Sequence, residues 1–208
     1  MEALCQKYWP PLYAFVRKSG YAPHEAEDIT QSFFERLLEK NFHLAANPER
    51  GRFRSFLLGS MRNFLANWHR DAACQKRGGG AEVFSLDLEG AEQMIARQLE
   101  ASDDPEKMYH RSWAIRLMEV VLEKLREEYV AEGVAERFEA LRFCLDGSED
   151  APRYAELAKR FDLSESGVKS AVARIRKRFR ELYREEIAQV VGDLTMVDDE
   201  IRMLMSAL

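Results

Sequence analysis

The chain lacks the residue patterns on which several classes of site depend. Its three cysteines, Cys5, Cys74 and Cys144, lie far apart and match neither a disulfide framework nor metal-ligand spacing, so reduced thiols are the simplest interpretation. The four histidines are equally scattered, without an HxxxH or HExxH pair. The glycines at 78–80 have no strand before them and no Lys-Ser/Thr after them, unlike a phosphate-binding loop. These absences argue against an enzyme, and we expect no metal and no cofactor.

Long apolar segments are missing too. No run of 18 apolar residues occurs, which excludes a membrane-spanning helix from the predicted architecture. The opening residues, MEALCQKYW, do not show the basic and then apolar regions of a signal peptide. We therefore expect a cytoplasmic protein. With 208 residues, 46% of them hydrophobic and 32% charged, the chain can form one large or two small domains.

Charge is distributed unevenly along the sequence. The formal net charge is −5, which by itself argues against a nucleic-acid partner. However, residues 50–77 contain seven cations and one acid, and residues 169–184 again contain seven cations and one acid. Between these blocks, residues 82–106 contain eight acids and one cation. Two basic blocks separated by an acidic connector are typical of a nucleic-acid-binding protein.

Apolar spacing predicts helices along nearly the whole chain. A first amphipathic segment is expected to be interrupted or offset at Pro10 and Pro11. Helices are then predicted at about residues 24–39 and 53–70, each with an apolar stripe. In the second of these, Phe64 and Trp68 fall on the apolar stripe and are predicted to face a core rather than DNA.

Residues 154–179 predict a helix-turn-helix. A short first helix has Leu157 on its apolar stripe, and Ser164 stands where the second helix needs an N-cap. Asp162 occupies the turn position that such motifs usually give to glycine, and aspartate tolerates a left-handed backbone better than most residues. The second helix repeats apolar residues at steps of four, three, four and three, at Val168, Val172, Ile175, Phe179 and Leu182.

The remaining face of that second helix is basic. A solvated surface helix usually alternates the signs of its charges, and this one does not. The pattern therefore favours a recognition helix that enters a DNA groove over a solvated face.

Three segments resemble motifs of the extracytoplasmic-function (ECF) sigma factors, in the order that this family has them. AEDITQSFFERLLEK at 26–40 resembles the helix that binds RNA polymerase, and FRSFLLGSMRNFLANWHRD at 53–71 resembles the helix that melts and reads the promoter −10 element. SESGVKSAVARIRKRFREL at 164–182 is similar to the −35 recognition helix. Ala171 departs from the pattern, because many relatives have a cation there.

The resemblance implies an all-α fold, two helical domains, and three sets of binding residues. Core RNA polymerase is expected to contact Asp28, Gln31 and Glu35. The −10 region of promoter DNA is expected to contact Arg52, Arg54, Arg62, Asn63, Asn67 and Arg70. The −35 region is expected to contact Lys169, Ser170, Ala173, Arg174 and Lys177.

The predicted organisation has four parts. Residues 1–77 form sigma region 2, 78–104 an acidic linker, 105–190 sigma region 4, and 191–208 an amphipathic tail. The linker either stands in for RNA phosphates in the polymerase channels or is a plain tether. In the tail, Ile201, Leu204 and Met205 are predicted to share one side, and we hypothesise that this side docks on the protein itself or on a regulator.

The sequence therefore favours an alternative sigma factor without enzymatic activity. Its expected partners are core RNA polymerase and promoter DNA, with an anti-sigma factor or another regulator as a further candidate, and with no membrane insertion. Its expected location is the cytoplasm, at the nucleoid. The alternative is a stand-alone helix-turn-helix regulator, which leaves residues 26–71 without a role; a protein that only occupies polymerase, and an enzyme, rank below it.

Overall fold

The computed structural model describes residues 2–39, 53–72, 92, 104–145, 153–191 and 193–208. Eight α-helices and no strand occur in this described part, which confirms the predicted all-α fold. The helices are α1 Glu2–Lys18, α2 Pro23–Glu39, α3 Phe53–Ala72, α4 Pro105–Ala131, α5 Ala135–Leu141, α6 Tyr154–Arg160, α7 Glu165–Ala188 and α8 Val197–Met205. Short 3-10 turns, Arg142–Cys144 and Leu194–Met196, follow α5 and precede α8.

Helix α1 corrects the prediction that Pro10 and Pro11 interrupt the first segment. The helix runs without a break through both prolines. Each proline lacks the N–H that an interior helical residue normally donates, so the local sequence disfavours this conformation. The neighbouring side chains Trp9, Leu12 and Tyr13 are buried. Tertiary packing therefore outweighs the lost hydrogen bonds.

The chain divides into two compact units. The first comprises Met1–Arg116 together with Ile187–Leu208, and the second comprises Leu117–Glu186. The tail, predicted as a separate segment, thus belongs to the first unit. The predicted domain limits at residues 77, 104 and 190 stay predictions.

Aromatic side chains from distant parts of the sequence form the core of the first unit. The Tyr8 ring stacks on Trp113 with centroids 4.4 Å apart and meets Phe53 edge-on at 5.1 Å. Helix α4 begins at Pro105, where a missing N–H is harmless. The carboxylate of Asp104 accepts a hydrogen bond from the backbone N–H of Glu106 at 2.9 Å. This capped start sets the position of Trp113 two turns along the helix.

The second unit contains the predicted helix-turn-helix, α6 and α7. Asp162 has φ of 50°, which confirms the left-handed turn. The Ser164 hydroxyl accepts a hydrogen bond from the N–H of Gly167 at 3.1 Å, which confirms the N-cap of α7. Val168, Val172, Ile175 and Leu182 are buried, while Phe179 is half-buried. The α7 apolar stripe therefore faces the core of this unit.

Candidate nucleic-acid interface

Helix α2 presents the residues predicted to contact polymerase on one side. At 3.6 residues per turn, Asp28, Gln31 and Glu35 fall within an arc of about 60°. Asp28 is exposed, and the Gln31 amide donates a hydrogen bond to Glu35 Oε1 at 3.1 Å. The opposite side carries the buried residues Ile29, Phe33 and Leu37. Helix α2 is therefore amphipathic, and Asp28, Gln31 and Glu35 form a polar ridge opposite its buried apolar side.

Helix α3 brings together three of the residues predicted to contact the −10 element. Arg62, Asn63 and Asn67 are exposed, and their positions span an arc of about 140° on the helix. The guanidinium of Arg62 also pairs with Glu106 Oε1 at 2.8 Å, and both side chains are about half exposed. Arg70 lies in α3, at a backbone position within the same arc, while Arg52 lies outside the described residues.

Arg54, the remaining −10 candidate, is buried on the other side of α3. Its side chain is 1% exposed and lies among the core positions Leu57 and Met61. Its Nε donates to Glu200 Oε1 of α8 at 2.9 Å, and its Nη1 contacts His110 Nδ1 of α4. Arg54 therefore does not reach the surface in this conformation, contrary to its expected place beside the other −10 residues.

The Arg54 environment also changes the titration of His110. Burial, together with the positive charge of Arg54, lowers the pKa of His110 from 6.5 to about 4. The hydroxyl of Tyr109 donates to the backbone oxygen of Arg54 at 3.0 Å, and burial raises its pKa. His110 is therefore neutral at physiological pH and can accept a hydrogen bond from Arg54.

A cleft of about 240 Å³ lies between α2 and α3. Its walls combine the ring of Phe64 and the apolar side chains of Phe33 and Leu37 with polar groups that include Asn63 and Asn67. The volume is below the range typical of sites for drug-sized ligands. The cleft thus offers an aromatic face beside amide donors and acceptors, a combination that suits one planar base.

The guanidinium of Arg36 adds a cation to that cleft. It lies 5.9 Å from the centroid of the Phe64 ring, while Phe33 meets the same ring edge-on at 5.6 Å. Phe64 and Trp68, predicted to be core residues, are only half-buried, and their ring centroids lie 5.6 Å apart. The sequence analysis missed Arg36, although its position three residues after Phe33 places it beside the apolar stripe of α2.

Helix α7 presents all five predicted −35 residues to solvent. Lys169, Ser170, Ala173, Arg174 and Lys177 are exposed. They fall within an arc of about 140°, and the buried stripe is centred on the opposite side of the helix. The Ser170 hydroxyl donates to the backbone oxygen of Ser166 at 3.0 Å. The helix thus holds a cationic face away from its own core.

Two other cations of α7 contact the second unit itself. Arg178 Nη2 lies 2.6 Å from Glu128 Oε1, and this pair raises the pKa of Arg178 and lowers that of Glu128. Arg176 Nε donates to the backbone oxygen of Cys144 at 2.9 Å. The seven cations of residues 169–184 are therefore not equivalent, since Arg176 and Arg178 take part in holding the unit together.

The sequence analysis missed two acidic residues that form hydrogen bonds and ion pairs within the first unit. Glu200 is buried beside Arg54, and Glu92 accepts hydrogen bonds from the Tyr13 hydroxyl at 2.5 Å and from Arg17 Nε at 2.7 Å. Arg17 and Tyr13 lower the pKa of Glu92. For Arg54 a signal existed: its helical position coincides with the buried arc of α3. Nothing local in the sequence indicates its partner.

Within the described residues, no group of three or more His, Cys, Asp or Glu side chains could hold a metal ion. In the same part of the chain, no helix combines the length and apolarity needed to cross a membrane.

Comparison with known families adds a match for the first part of the chain. Residues 4–74 match the model of Sigma-70 region 2. The matched segment spans α1, α2 and α3, so it includes the polar ridge of α2 and the cleft between α2 and α3. No curated protein and no solved structure gives a significant match.

Proposed function

We propose that this chain, a sigma-70-type sigma factor by its region 2, is an alternative sigma factor of the ECF type. The observation that carries the proposal is the region 2 match over residues 4–74, because that domain belongs to the initiation machinery of transcription. The chain binds core RNA polymerase, directs it to promoters through −10 and −35 elements, and supplies no catalytic group of its own. It acts in the cytoplasm at the nucleoid, and control by an anti-sigma factor remains an expectation.

The polymerase contact is the ridge formed by Asp28, Gln31 and Glu35. The exposure of Asp28 and the hydrogen bond that orients Gln31 and Glu35 support this role. A fixed amide–carboxylate pair next to an exposed acid suits a basic groove, because charge complementarity speeds encounter and fixes register.

The −10 contact is centred on Asn63 and Asn67. Both side chains are exposed and both line the cleft with Phe64. Capture of an unstacked base requires a stacking surface and hydrogen-bonding groups, and the cleft has both. Arg62 and Arg70 supply cations for the neighbouring phosphates.

The −35 contact is the exposed face of α7. Lys169 and Arg174 lie near the N-terminal half of the helix, the part of a recognition helix that reaches base edges in the major groove. Either can donate to guanine O6 and N7, whereas Ser170 and Lys177 suit phosphates. Ala173 leaves room for a thymine methyl group.

The test is run-off transcription with bacterial core polymerase on a pool of genomic fragments. Start-site-specific transcripts are expected with the wild-type chain and not with core enzyme alone. Arg174→Ala should reduce transcription from selected promoters about 5–150-fold, the equivalent of one lost bidentate base contact. Its matched control is Arg184→Ala, on the same helix but about 15 Å further along its axis.

Asp28→Ala tests the polymerase contact separately. It should weaken binding to core polymerase in a pull-down and leave promoter selection unchanged, whereas Glu132→Ala, which removes an exposed acid from the second unit, should change neither. Tight binding to duplex DNA without polymerase, and no transcript, would favour a stand-alone helix-turn-helix regulator instead.

A further inference from the structure

Helix α8 places an acid against the helix that carries the proposed −10 contacts. Glu200 Oε1 lies 2.9 Å from Arg54 Nη2 and accepts from Arg54 Nε, and both side chains are 1% exposed. Arg54 Nη1 contacts His110 Nδ1, and Nη2 lies 3.5 Å from Met203 Sδ. All three guanidinium nitrogens of Arg54 are therefore engaged within the first unit.

The docked face of α8 has a charged residue at its centre. Val197, Glu200 and Leu204 form the buried stripe of this nine-residue helix, and Met205, predicted to share the docked side, is 44% exposed. Apolar residues at both positions 54 and 200 would hold the helix more firmly than the ion pair does, because desolvation cancels much of the attraction within a buried ion pair. The carboxylate of Glu200, in contrast, can compete with a DNA phosphate for the guanidinium of Arg54.

We propose that α8 is an autoinhibitory lock in which Glu200 holds Arg54 in place of a promoter phosphate. Release of α8 exposes Arg54, whose position lies about 80° around α3 from Arg62 at the edge of the −10 face, so docking of α8 and binding of a phosphate by Arg54 exclude each other. This inference rests on the proposed function of α3.

The docking is suited to reversal. An isolated helix of nine residues is marginal in water, so α8 depends on its contacts with the unit. Few apolar side chains hold it, and both charges regain hydration when it leaves. Local opening of such a segment does not require the rest of the fold to unfold.

The test compares the full-length wild-type chain with Glu200→Gln, which keeps the side-chain shape but removes the charge. We expect faster hydrogen exchange in residues 197–205 and, in holoenzyme, tighter binding of promoter DNA. The gain should be on the order of tenfold, within the usual range of coupling between two sites. Asp199→Asn is the matched control, since within the described residues Asp199 pairs with Arg202 of the same helix; it should change neither quantity.

Two further variants assign the effect to Arg54. Leu204→Ala loosens α8 without touching the ion pair and should reproduce the gain. Adding Arg54→Ala to Glu200→Gln should cancel it. Faster exchange in α8 without tighter DNA binding, in both Glu200→Gln and Leu204→Ala, overturns the lock and leaves α8 as a structural strut.

Failure of the proposed function is a separate outcome. A wild-type chain that forms no complex with core polymerase overturns that function. The lock is then judged on the chain alone, with a fluorescent single-stranded oligonucleotide of random sequence as the probe. Unchanged affinity in Glu200→Gln and Leu204→Ala in that assay overturns the lock as well.

Discussion

Removing the acid of the Arg54–Glu200 pair is expected to detach α8 before the first unit unfolds. In Glu200→Ala, Arg54 loses its carboxylate at a position that is 1% exposed. Leaving one member of a buried ion pair alone usually costs about 3–5 kcal/mol. That cost cannot exceed the free energy that holds α8 in place, because undocking of α8 lets Arg54 reach water.

The structure bounds the docking free energy. The apolar residues of α8 that are fully buried are Val197 and Leu204, at 4% and 0% exposure. Burial of each contributes about 1.5–3 kcal/mol at most. Ordering the helix consumes part of this gain. We therefore expect Glu200→Ala to lower the free energy of unfolding by about 1–3 kcal/mol, less than in an interior that cannot open.

Urea denaturation measures the free energy of unfolding, and hydrogen exchange of residues 197–205 measures the detachment of α8. Asp199→Ala is the control and should change stability by no more than about 0.5 kcal/mol. The double variant Arg54→Met/Glu200→Leu, which has no buried charge, should keep α8 docked and recover most of the loss. A loss of about 4 kcal/mol or more with unchanged exchange in α8 would refute the reasoning, since it would show that α8 cannot leave.

Three further predictions concern local features. Ser164→Ala should lower the stability of the chain by about 1 kcal/mol in a thermal melt, through loss of the α7 cap. Asp162→Val should cost about 1–2 kcal/mol at the left-handed turn, whereas Asp162→Gly should stay near wild type because glycine relieves the strain but raises the entropy of the unfolded chain. The free energy of unfolding should fall as pH drops from about 6.5 towards 4. Burial and the charge of Arg54, opposed by Asp104, lower the pKa of His110 in the folded state to about 4. In this pH range the unfolded chain therefore binds a proton at His110 more readily than the folded chain does. Urea midpoints at pH 5 and pH 7 should differ less in His110→Gln.

Features set by neighbouring residues could be predicted from the sequence. The apolar spacing of α2 and α3 predicted their bounds to within two residues, whereas α7 continues to Ala188, beyond the predicted motif. The outward direction of Lys169 and Arg174 followed from the α7 stripe. The left-handed turn and the N-cap were predictable because Asp162 and Ser164 act on their own backbone.

Features that depend on distant partners could not be predicted in this way. Arg54 and Glu200 are 146 residues apart, and they form an ion pair only because α3 and α8 pack against each other. The same applies to Pro10 and Pro11, since only the packing around α1 explains why the helix continues. The prediction of which side of α8 docks was right for Leu204 and wrong for Met205, because a stripe of apolar residues alone does not reveal a buried carboxylate such as Glu200.

The cations of α7 fall into an anchoring group and a solvent-facing group, so the two groups can be altered separately by engineering. Arg176 and Arg178 hold the second unit. Lys169, Arg174 and Lys177 lie on the exposed arc between those two positions. Libraries randomised at the outward positions should therefore retain folded members at high frequency, because the anchoring residues stay constant. Under the proposed −35 role, such libraries would give sets of regulators that recognise separate promoters without interfering with one another.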